Sequence, residues 1–201
     1  MLKNVDAIVT SSNEYLQGNK NNSYWRFNGR RNVDGDVRNG LNQDELDQEL
    51  SGEIGENKLS IGHSIMTRSS GRILANGVKY IIHTITPDGA YGYENNNSDC
   101  MSSDNKLSNC YSSSLLLAEN KKLKTCAFPA LGCGVKEWIR ARGAKIAFET
   151  LKQVKLQSVN HVYFVFLDNV TLNTFKLIGE KTSLLNCEEV IEDGYRYQFK
   201  S

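Results

Sequence analysis

Short apolar runs, separated by polar and glycine-containing stretches, dominate the pattern of the chain. Four such runs are rich in branched and aromatic residues: residues 5–10, 80–85, 124–129 and 161–167. Each is followed by polar residues, glycine or proline. Near-continuous runs of this length are typical of strands buried on both faces of a parallel sheet. Near the end, an Asp193-Gly194 pair separates two further strand-like runs over residues 187–199. This pair predicts an antiparallel hairpin at the sheet edge.

Between the strands the apolar spacing becomes helical. One predicted helical face consists of Leu107, Cys110, Tyr111, Ser114, Leu115 and Ala118. A second consists of Ile139, Gly143, Ile146, Ala147, Thr150, Leu151 and Val154. We also expect short helices over residues 44–50, capped by Asn42 or Asp44, and 172–178, and a strand over 60–68. Alternating strands and helices predict an α/β fold, a three-layer α/β/α domain with a mixed, mostly parallel central sheet.

One domain over residues 1–201 accounts for this pattern, with long loops at 17–43 and 88–106, where Asn, Gly and Ser are frequent. Ligands of such folds bind beyond the carboxyl ends of the strands. Three residues follow the carboxyl ends of predicted strands: Asn13, Pro87 and Gly132. We therefore expect the functional site there.

Composition narrows the classes of function. Lys and Arg number 24 against 23 Asp and Glu, a net charge of +1, which argues against nucleic acid as the partner. No apolar run approaches the roughly 20 residues that cross a membrane, and the first residues do not resemble a signal peptide, so we expect a cytoplasmic or nuclear protein. Five cysteines without a Cys-x-x-Cys pair, and no clustered histidines, predict reduced thiols, no metal site and no cofactor. We interpret His63, His83 and His161 as structural.

The segment Gly132-Cys133-Gly134-Val135 lies between a predicted strand and a predicted helix. A glycine loop in this position exposes backbone N–H groups at the positive end of the helix, and that arrangement binds phosphate. The third glycine of a dinucleotide fingerprint, the Gly-Lys-Ser/Thr of a P-loop and the arginine spacing of a cysteine phosphatase are all missing. We interpret Cys133 as a small buried residue without chemistry of its own.

Four segments together resemble the macro domain family. They are residues 5–13 (VDAIVTSSN), 32–37 (NVDGDV), 80–87 (YIIHTITP) and 127–135 (AFPALGCGV). In order, they match that family's Asp-Ala-Ile-Val-Asn-Ala-Ala-Asn, Gly-Val-Asp-Gly-Ala-Ile, Val-Ile-His-x-Val-Gly-Pro and Ala-Phe-Pro-Ala-Ile-Ser-Thr-Gly-Val. The resemblance implies a mixed sheet between helices and ADP-ribose, or an ADP-ribosylated substrate, as the ligand.

The resemblance also implies roles for particular residues. It places Asn13 on the hydroxyls of the distal ribose and Asp34 beside that ribose, as the group that orients or activates water. A turn-capping Asn and a solvated loop carboxylate are the alternatives for these two residues. Trp138 matches an aromatic residue beside the distal ribose, and a core aromatic at a helix start is its alternative. The further implied ligand contacts are Gly35 and, around the diphosphate, Gly132, Cys133, Gly134 and Val135.

The chain also departs from the family pattern. The usual first strand and the Asp that binds the adenine amino group have no counterpart before residue 5, and the glycine run before Val33 is replaced by residues that include Arg30 and Arg31. These two side chains either obstruct the ligand or add contacts to its phosphates. The inserted residues 24–27 (YWRF) are either a lid on a base or, as we favour, a hydrophobic anchor for a long loop.

We therefore expect an ADP-ribose-binding domain that hydrolyses ADP-ribose esters, either mono-ADP-ribosylated Asp or Glu side chains or O-acetyl-ADP-ribose. The alternative is a reader that binds ADP-ribose, or a related nucleotide metabolite, without cleaving it. A weaker alternative is single-stranded nucleic-acid binding through Trp25, Phe27 and the neighbouring arginines.

Overall fold

The computed structural model describes residues 5–16, 33–54, 58–89, 97–182, 187–191 and 195–200, which contain seven strands and six helices. The strands are β1 (Ala7–Ser11), β2 (Ser64–Arg68), β3 (Tyr80–Thr84), β4 (Thr125–Pro129), β5 (His161–Phe166), β6 (Cys187–Ile191) and β7 (Tyr195–Lys200). The helices are α1 (Val33–Arg38), α2 (Gln43–Ile54), α3 (Gly71–Ala75), α4 (Asn97–Asn120), α5 (Arg140–Gln153) and α6 (Asn169–Lys181).

The strands form one sheet in the order β2-β3-β1-β4-β5-β7-β6. β1 pairs in parallel with both β3 and β4, and β4 pairs in parallel with β5. β2 is antiparallel to β3, and β7 is antiparallel to both β5 and β6. Most strands of the described sheet therefore point the same way, which confirms the predicted mixed, mostly parallel sheet. The edge hairpin is also confirmed, although residues 193–194 lie outside the described residues.

Each face of the sheet covers its own hydrophobic core. In β3, Ile82 joins the core under α4, α5 and α6, whereas its neighbour Ile81 joins the core under α1, α2 and α3. Successive residues of a strand point to opposite faces, so an apolar run supplies both cores at once. This explains why the central strands are apolar throughout, and it produces the predicted three layers.

Two predicted loops are partly helical, which corrects the expected boundaries. Helix α4 begins at Asn97 rather than Leu107, so residues 97–106 do not belong to the loop expected at 88–106. Asp104 in this stretch accepts two hydrogen bonds from Arg142 of α5, at 2.8 and 2.9 Å. A tertiary ion pair thus stabilises a helical start whose Asn and Ser content is typical of a loop.

Helix α1 likewise lies inside the loop expected at 17–43. Asp34 stands in its first turn and Arg38 in its last, where each charge suits the helix dipole, and the two side chains pair at 3.0 Å. Burial of Val37 anchors this short helix to the core under α1, α2 and α3. The remaining loop residues, 17–32, lie outside the described residues.

Other boundaries follow the predictions more closely. Helix α2 is capped as expected, because Asn42 Oδ1 accepts the backbone N–H of Asp44 at 3.1 Å, but it continues to Ile54. The predicted face of α5 is buried at Gly143, Ile146, Ala147 and Thr150. Ile139 was wrongly placed on that face: it is the N-cap and is 55% exposed.

Candidate functional site

The carboxyl end of β1 is held against β3. Ser12 N donates to the Thr84 carbonyl at 2.9 Å, and the hydroxyl oxygens of Ser11 and Thr86 lie 2.6 Å apart. Asn13 follows at the exposed edge, where its Oδ1 accepts the backbone N–H of Tyr15 at 3.2 Å. Asn13 therefore caps a turn. Because a carboxamide oxygen has two lone pairs, this turn is compatible with a second contact to a ribose hydroxyl.

Asp34 is a buried carboxylate beside the β1 turn, not the solvated loop group considered as its alternative. Its Oδ1 accepts the Ser12 hydroxyl at 2.6 Å, and its Oδ2 accepts Arg38 Nε at 3.0 Å. The residue is 8% exposed. The hydrogen bond from Ser12 holds Asp34 against the residue that precedes Asn13, at the turn that follows β1.

Arg38 connects α1 to the same turn from the other side. Its Nη2 donates to the Leu16 carbonyl at 2.5 Å, while its own carbonyl accepts Gln43 Nε2. Leu16 is buried and has a φ of 53°, a left-handed conformation that is unfavourable for a branched residue. Arg38 thus fixes both the Asp34 carboxylate and the turn that follows Asn13.

The loop after β4 begins with a tight turn. Cys133 N donates to the Ala130 carbonyl at 3.1 Å, and Gly132 has the positive φ, 79°, that a type II turn requires at this position. A second turn follows, closed by Glu137 N and the Gly134 carbonyl at 3.1 Å. Within the described part of the chain, the N–H groups of Gly134 and Val135 donate no hydrogen bond to another backbone carbonyl. They are therefore suited to an anionic ligand.

Only one of the two glycines in this loop is surrounded by protein. A Cβ on Gly132 would lie 2.7 Å from Trp138 Cδ1, whereas a Cβ on Gly134 would meet nothing within 4 Å. Gly134 is exposed. Folding therefore explains the glycine at 132, while the open space at 134 is available to a ligand.

Trp138 is a core aromatic that joins two loops. Its Nε1 donates to the Pro87 carbonyl at 2.9 Å, and the residue is 4% exposed. Beside it, Gly89 N donates to the Lys136 carbonyl at 2.7 Å, and Lys136 forms an ion pair with Asp88 at 2.8 Å. This packing accounts for the indole, and contact with a ribose stays a prediction.

Cys133 is a partly buried residue whose surroundings disfavour a thiolate. Burial raises the pKa of its thiol to about 12, although the nearby Arg140 opposes this shift. The Sγ atom faces Gly143 of α5, where an added Cβ would lie 2.7 Å from the sulfur. Cys133 therefore packs the loop against the helix, and only its backbone is left for a ligand.

His83 lies fully buried in β3, between a threonine of β2 and a threonine of β1. Its Nε2 is 3.0 Å from Thr67 Oγ1 and its Nδ1 is 3.5 Å from Thr10 Oγ1. Burial lowers the pKa of His83 to about 4, while the charges of the Asp34 and Arg38 pair act in opposite directions, Asp34 raising the pKa and Arg38 lowering it. The imidazole is neutral and structural, as the sequence predicts.

The remaining predicted residues have different outcomes. Gly35 lies in the first turn of α1, where its carbonyl accepts Asn39 N at 3.0 Å. Arg30 and Arg31, and with them the inserted residues 24–27, lie outside the described residues.

Sequence reasoning missed Ser12 and Arg38 as partners of Asp34. The four-residue spacing of Asp34 and Arg38 was an available signal, but it lay in a segment interpreted as a loop.

The described residues provide neither a cluster of metal ligands nor a membrane-spanning helix. They contain no group of three His, Cys, Asp or Glu side chains placed to hold a metal ion. No helix among them is long and apolar enough to cross a membrane.

Comparison with known proteins adds an independent line of evidence. A family model described as Macro domain matches residues 26–147. The O-acetyl-ADP-ribose deacetylase of Citrobacter rodentium is 29% identical over 174 residues, which cover 86% of both chains. A macro domain-containing protein of Methanosarcina mazei is 31% identical over 152 residues, 74% of this chain and 66% of that protein. A mutant Oceanobacillus iheyensis macrodomain, solved with ADPR, has the same fold, with a TM-score of 0.71 at 22% identity, and the match covers 90% of this chain and 87% of that one.

Proposed function

Because this chain belongs to the macro domain family, we propose that it binds ADP-ribose and hydrolyses ADP-ribose esters, such as mono-ADP-ribosylated Asp or Glu side chains or O-acetyl-ADP-ribose. The similar protein of Citrobacter rodentium is named for a reaction of this class. One observation carries the proposal for this chain: a buried, ion-paired Asp34 is bonded to Ser12, the residue before the exposed Asn13, at the end of the sheet where the glycine loop after the neighbouring parallel strand β4 also begins.

The loop at residues 132–135 is proposed to bind the diphosphate. The N–H groups of Gly134 and Val135 make no backbone hydrogen bond within the described residues, and helix α5 begins five residues after Val135. Oriented N–H groups near a helix N-terminus favour a negative ligand. The open space at Gly134 lets a phosphate oxygen approach the backbone closely.

Asn13 and Asp34 are proposed to act at the distal ribose. Asn13 offers a carboxamide to the ribose diol, while Asp34 lies 2.6 Å from the hydroxyl of the preceding Ser12. Both Asp34 oxygens already accept a hydrogen bond, and protonation of the carboxylate would weaken its ion pair with Arg38. These contacts favour a carboxylate that orients the attacking water over one that removes its proton.

Two measurements on the purified chain test the proposal. Calorimetric titration with ADP-ribose, with AMP as the control ligand, reports binding, and chromatography of O-acetyl-ADP-ribose and of an ADP-ribosylated Glu peptide reports cleavage. We expect ADP-ribose to bind much more tightly than AMP, because the diphosphate loop and Asn13 contact groups that AMP lacks. Equal affinity for the two ligands contradicts the proposed site.

The variant Asp34→Ala tests the assigned role. We expect turnover to fall by roughly 10²-fold or more while ADP-ribose binding is retained, because Asp34 acts on water rather than on the diphosphate. Asp36→Asn is the matched control, since it removes an exposed carboxylate from the same helix. Equal turnover in Asp34→Ala and the parent contradicts the role. The binding stoichiometry of each variant corrects for any misfolded fraction.

A reader of ADP-ribose is the second candidate. It is favoured by the fact that both oxygens of Asp34 are already engaged, by Ser12 and Arg38. The same experiments separate the two functions, because a reader binds ADP-ribose tightly and leaves every ester intact over long incubation.

A further inference from the structure

Arg38 is a buried charged residue, and the stability of the fold alone does not explain why its guanidinium is buried. The residue is 6% exposed, and its Nε and Nη2 are bound to Asp34 and Leu16. Its third nitrogen, Nη1, is buried and has no hydrogen-bond partner among the described residues. Buried donors in proteins are nearly always paired, so an unpaired one calls for an explanation beyond packing.

The ion pair itself is poorly explained by stability. Removing two charges from water carries a large desolvation penalty, and apolar residues of similar size often stabilise a fold equally well. The guanidinium does, however, fix a geometry. Because it is planar, its bonds to the Asp34 carboxylate and to the Leu16 carbonyl hold these two groups in one arrangement. Through these contacts it sets the position of Asp34 relative to the turn that carries Asn13.

Building on the proposed hydrolysis, we propose that Arg38 is the positioning residue for Asp34. It holds the carboxylate in the orientation that directs water at the ester. Arg38 touches neither the ester nor the water. Loss of these two guanidinium hydrogen bonds therefore lowers turnover at each folded site and leaves the affinity for ADP-ribose nearly unchanged.

Arg38→Lys is the first test, because lysine keeps the positive charge but cannot hold two acceptors in one plane. We expect kcat to fall by about 10²-fold, the effect of misplacing a catalytic group by about 1 Å. KM and the Kd for ADP-ribose should stay close to the parent values. The matched control is Arg68→Lys, because Arg68 also pairs with a carboxylate, Glu49, but is exposed and lies at the opposite end of the sheet.

A structural role for Arg38 predicts a different result. In that case Arg38→Lys would lower the thermal midpoint and the number of binding-competent sites per chain, but the turnover of each competent site would equal that of the parent. Calorimetric stoichiometry counts those sites. Parent-like kcat per competent site in Arg38→Lys therefore overturns the inference, while a loss of kcat at full stoichiometry supports it.

Chemical rescue provides a second test. Adding guanidinium chloride at low millimolar concentration to Arg38→Ala should restore part of kcat, whereas equal sodium chloride or urea should not. No rescue is expected in Asp34→Ala/Arg38→Ala, because the added cation then has no carboxylate to orient. Rescue without Asp34 overturns the inference.

The two proposals fail in distinguishable ways. A parent protein that binds ADP-ribose but cleaves no ester overturns the hydrolytic function and this inference with it. A parent protein that turns over normally, with Arg38→Lys equal to it, overturns the role of Arg38 alone.

Discussion

The two glycines of the loop after β4 provide a contrast that separates folding from binding. Gly132 has a φ of 79° and faces Trp138, where an added Cβ would lie 2.7 Å from Cδ1. Gly134 has nothing within 4 Å of an added Cβ. The perturbations are Gly132→Ala, Gly134→Ala and Gly134→Val, which insert side chains two residues apart in one loop.

The expected magnitudes differ strongly. At position 132, the left-handed conformation costs an L-residue roughly 1–2 kcal/mol. Contact with the buried indole adds the roughly 1–3 kcal/mol typical of an overpacked core. For a chain of this length, a loss of about 1 kcal/mol lowers the thermal midpoint by about 2–4 °C. Gly132→Ala should therefore unfold clearly earlier, while Gly134→Ala should match the parent or gain up to about 1 kcal/mol.

Thermal unfolding and calorimetric titration with ADP-ribose test the contrast together. Gly134→Val should leave the unfolding midpoint unchanged and weaken binding, because a branched side chain stands where a phosphate oxygen would approach the backbone. An unchanged midpoint in Gly132→Ala would refute the packing argument. Parent-like binding by Gly134→Val would refute the assignment of the diphosphate to this loop.

Two further predictions concern the surrounding core. The pKa of His83 falls from 6.5 to about 4 on folding, so the unfolded chain binds the proton more tightly. The stability of the folded form is then full above pH 6.5 and declines by on the order of 3 kcal/mol as the pH falls to about 4. His83→Gln should flatten this decline in urea titrations, whereas His63→Gln, which removes an exposed imidazole, should keep it. In the same unfolding assay, Gly143→Ala should destabilise the parent because its Cβ would meet Cys133 Sγ at 2.7 Å. In a Cys133→Ala background the same change should stabilise by up to about 1 kcal/mol, because alanine favours helix more than glycine does. An equal effect in both backgrounds would contradict the contact.

Much of the fold could be predicted because its signals are local. An apolar run such as residues 80–85 indicates a buried strand without knowledge of its neighbours, and the spacing of the apolar face of α4 indicates which side is buried. The glycine loop is equally local, since its turn requires Gly132 at a positive φ. The boundaries that failed, at Asn97 and Val33, belong to polar segments whose helical state depends on partners elsewhere in the chain.

The sequence by itself determined the α/β alternation, the strand ends where polar residues collect, and the family resemblance that directs attention to Asn13 and Asp34. Only the tertiary structure decided the environment of those residues. Ser12 reaches Asp34 across 22 positions, and Trp138 reaches Pro87 across 51. Such contacts leave no periodic trace in the sequence, because they depend on how the sheet aligns the ends of strands that are distant along the chain. The same alignment placed the helical pair of Asp34 and Arg38 against Ser12 and Leu16, and so turned a predicted loop carboxylate into a buried, oriented one.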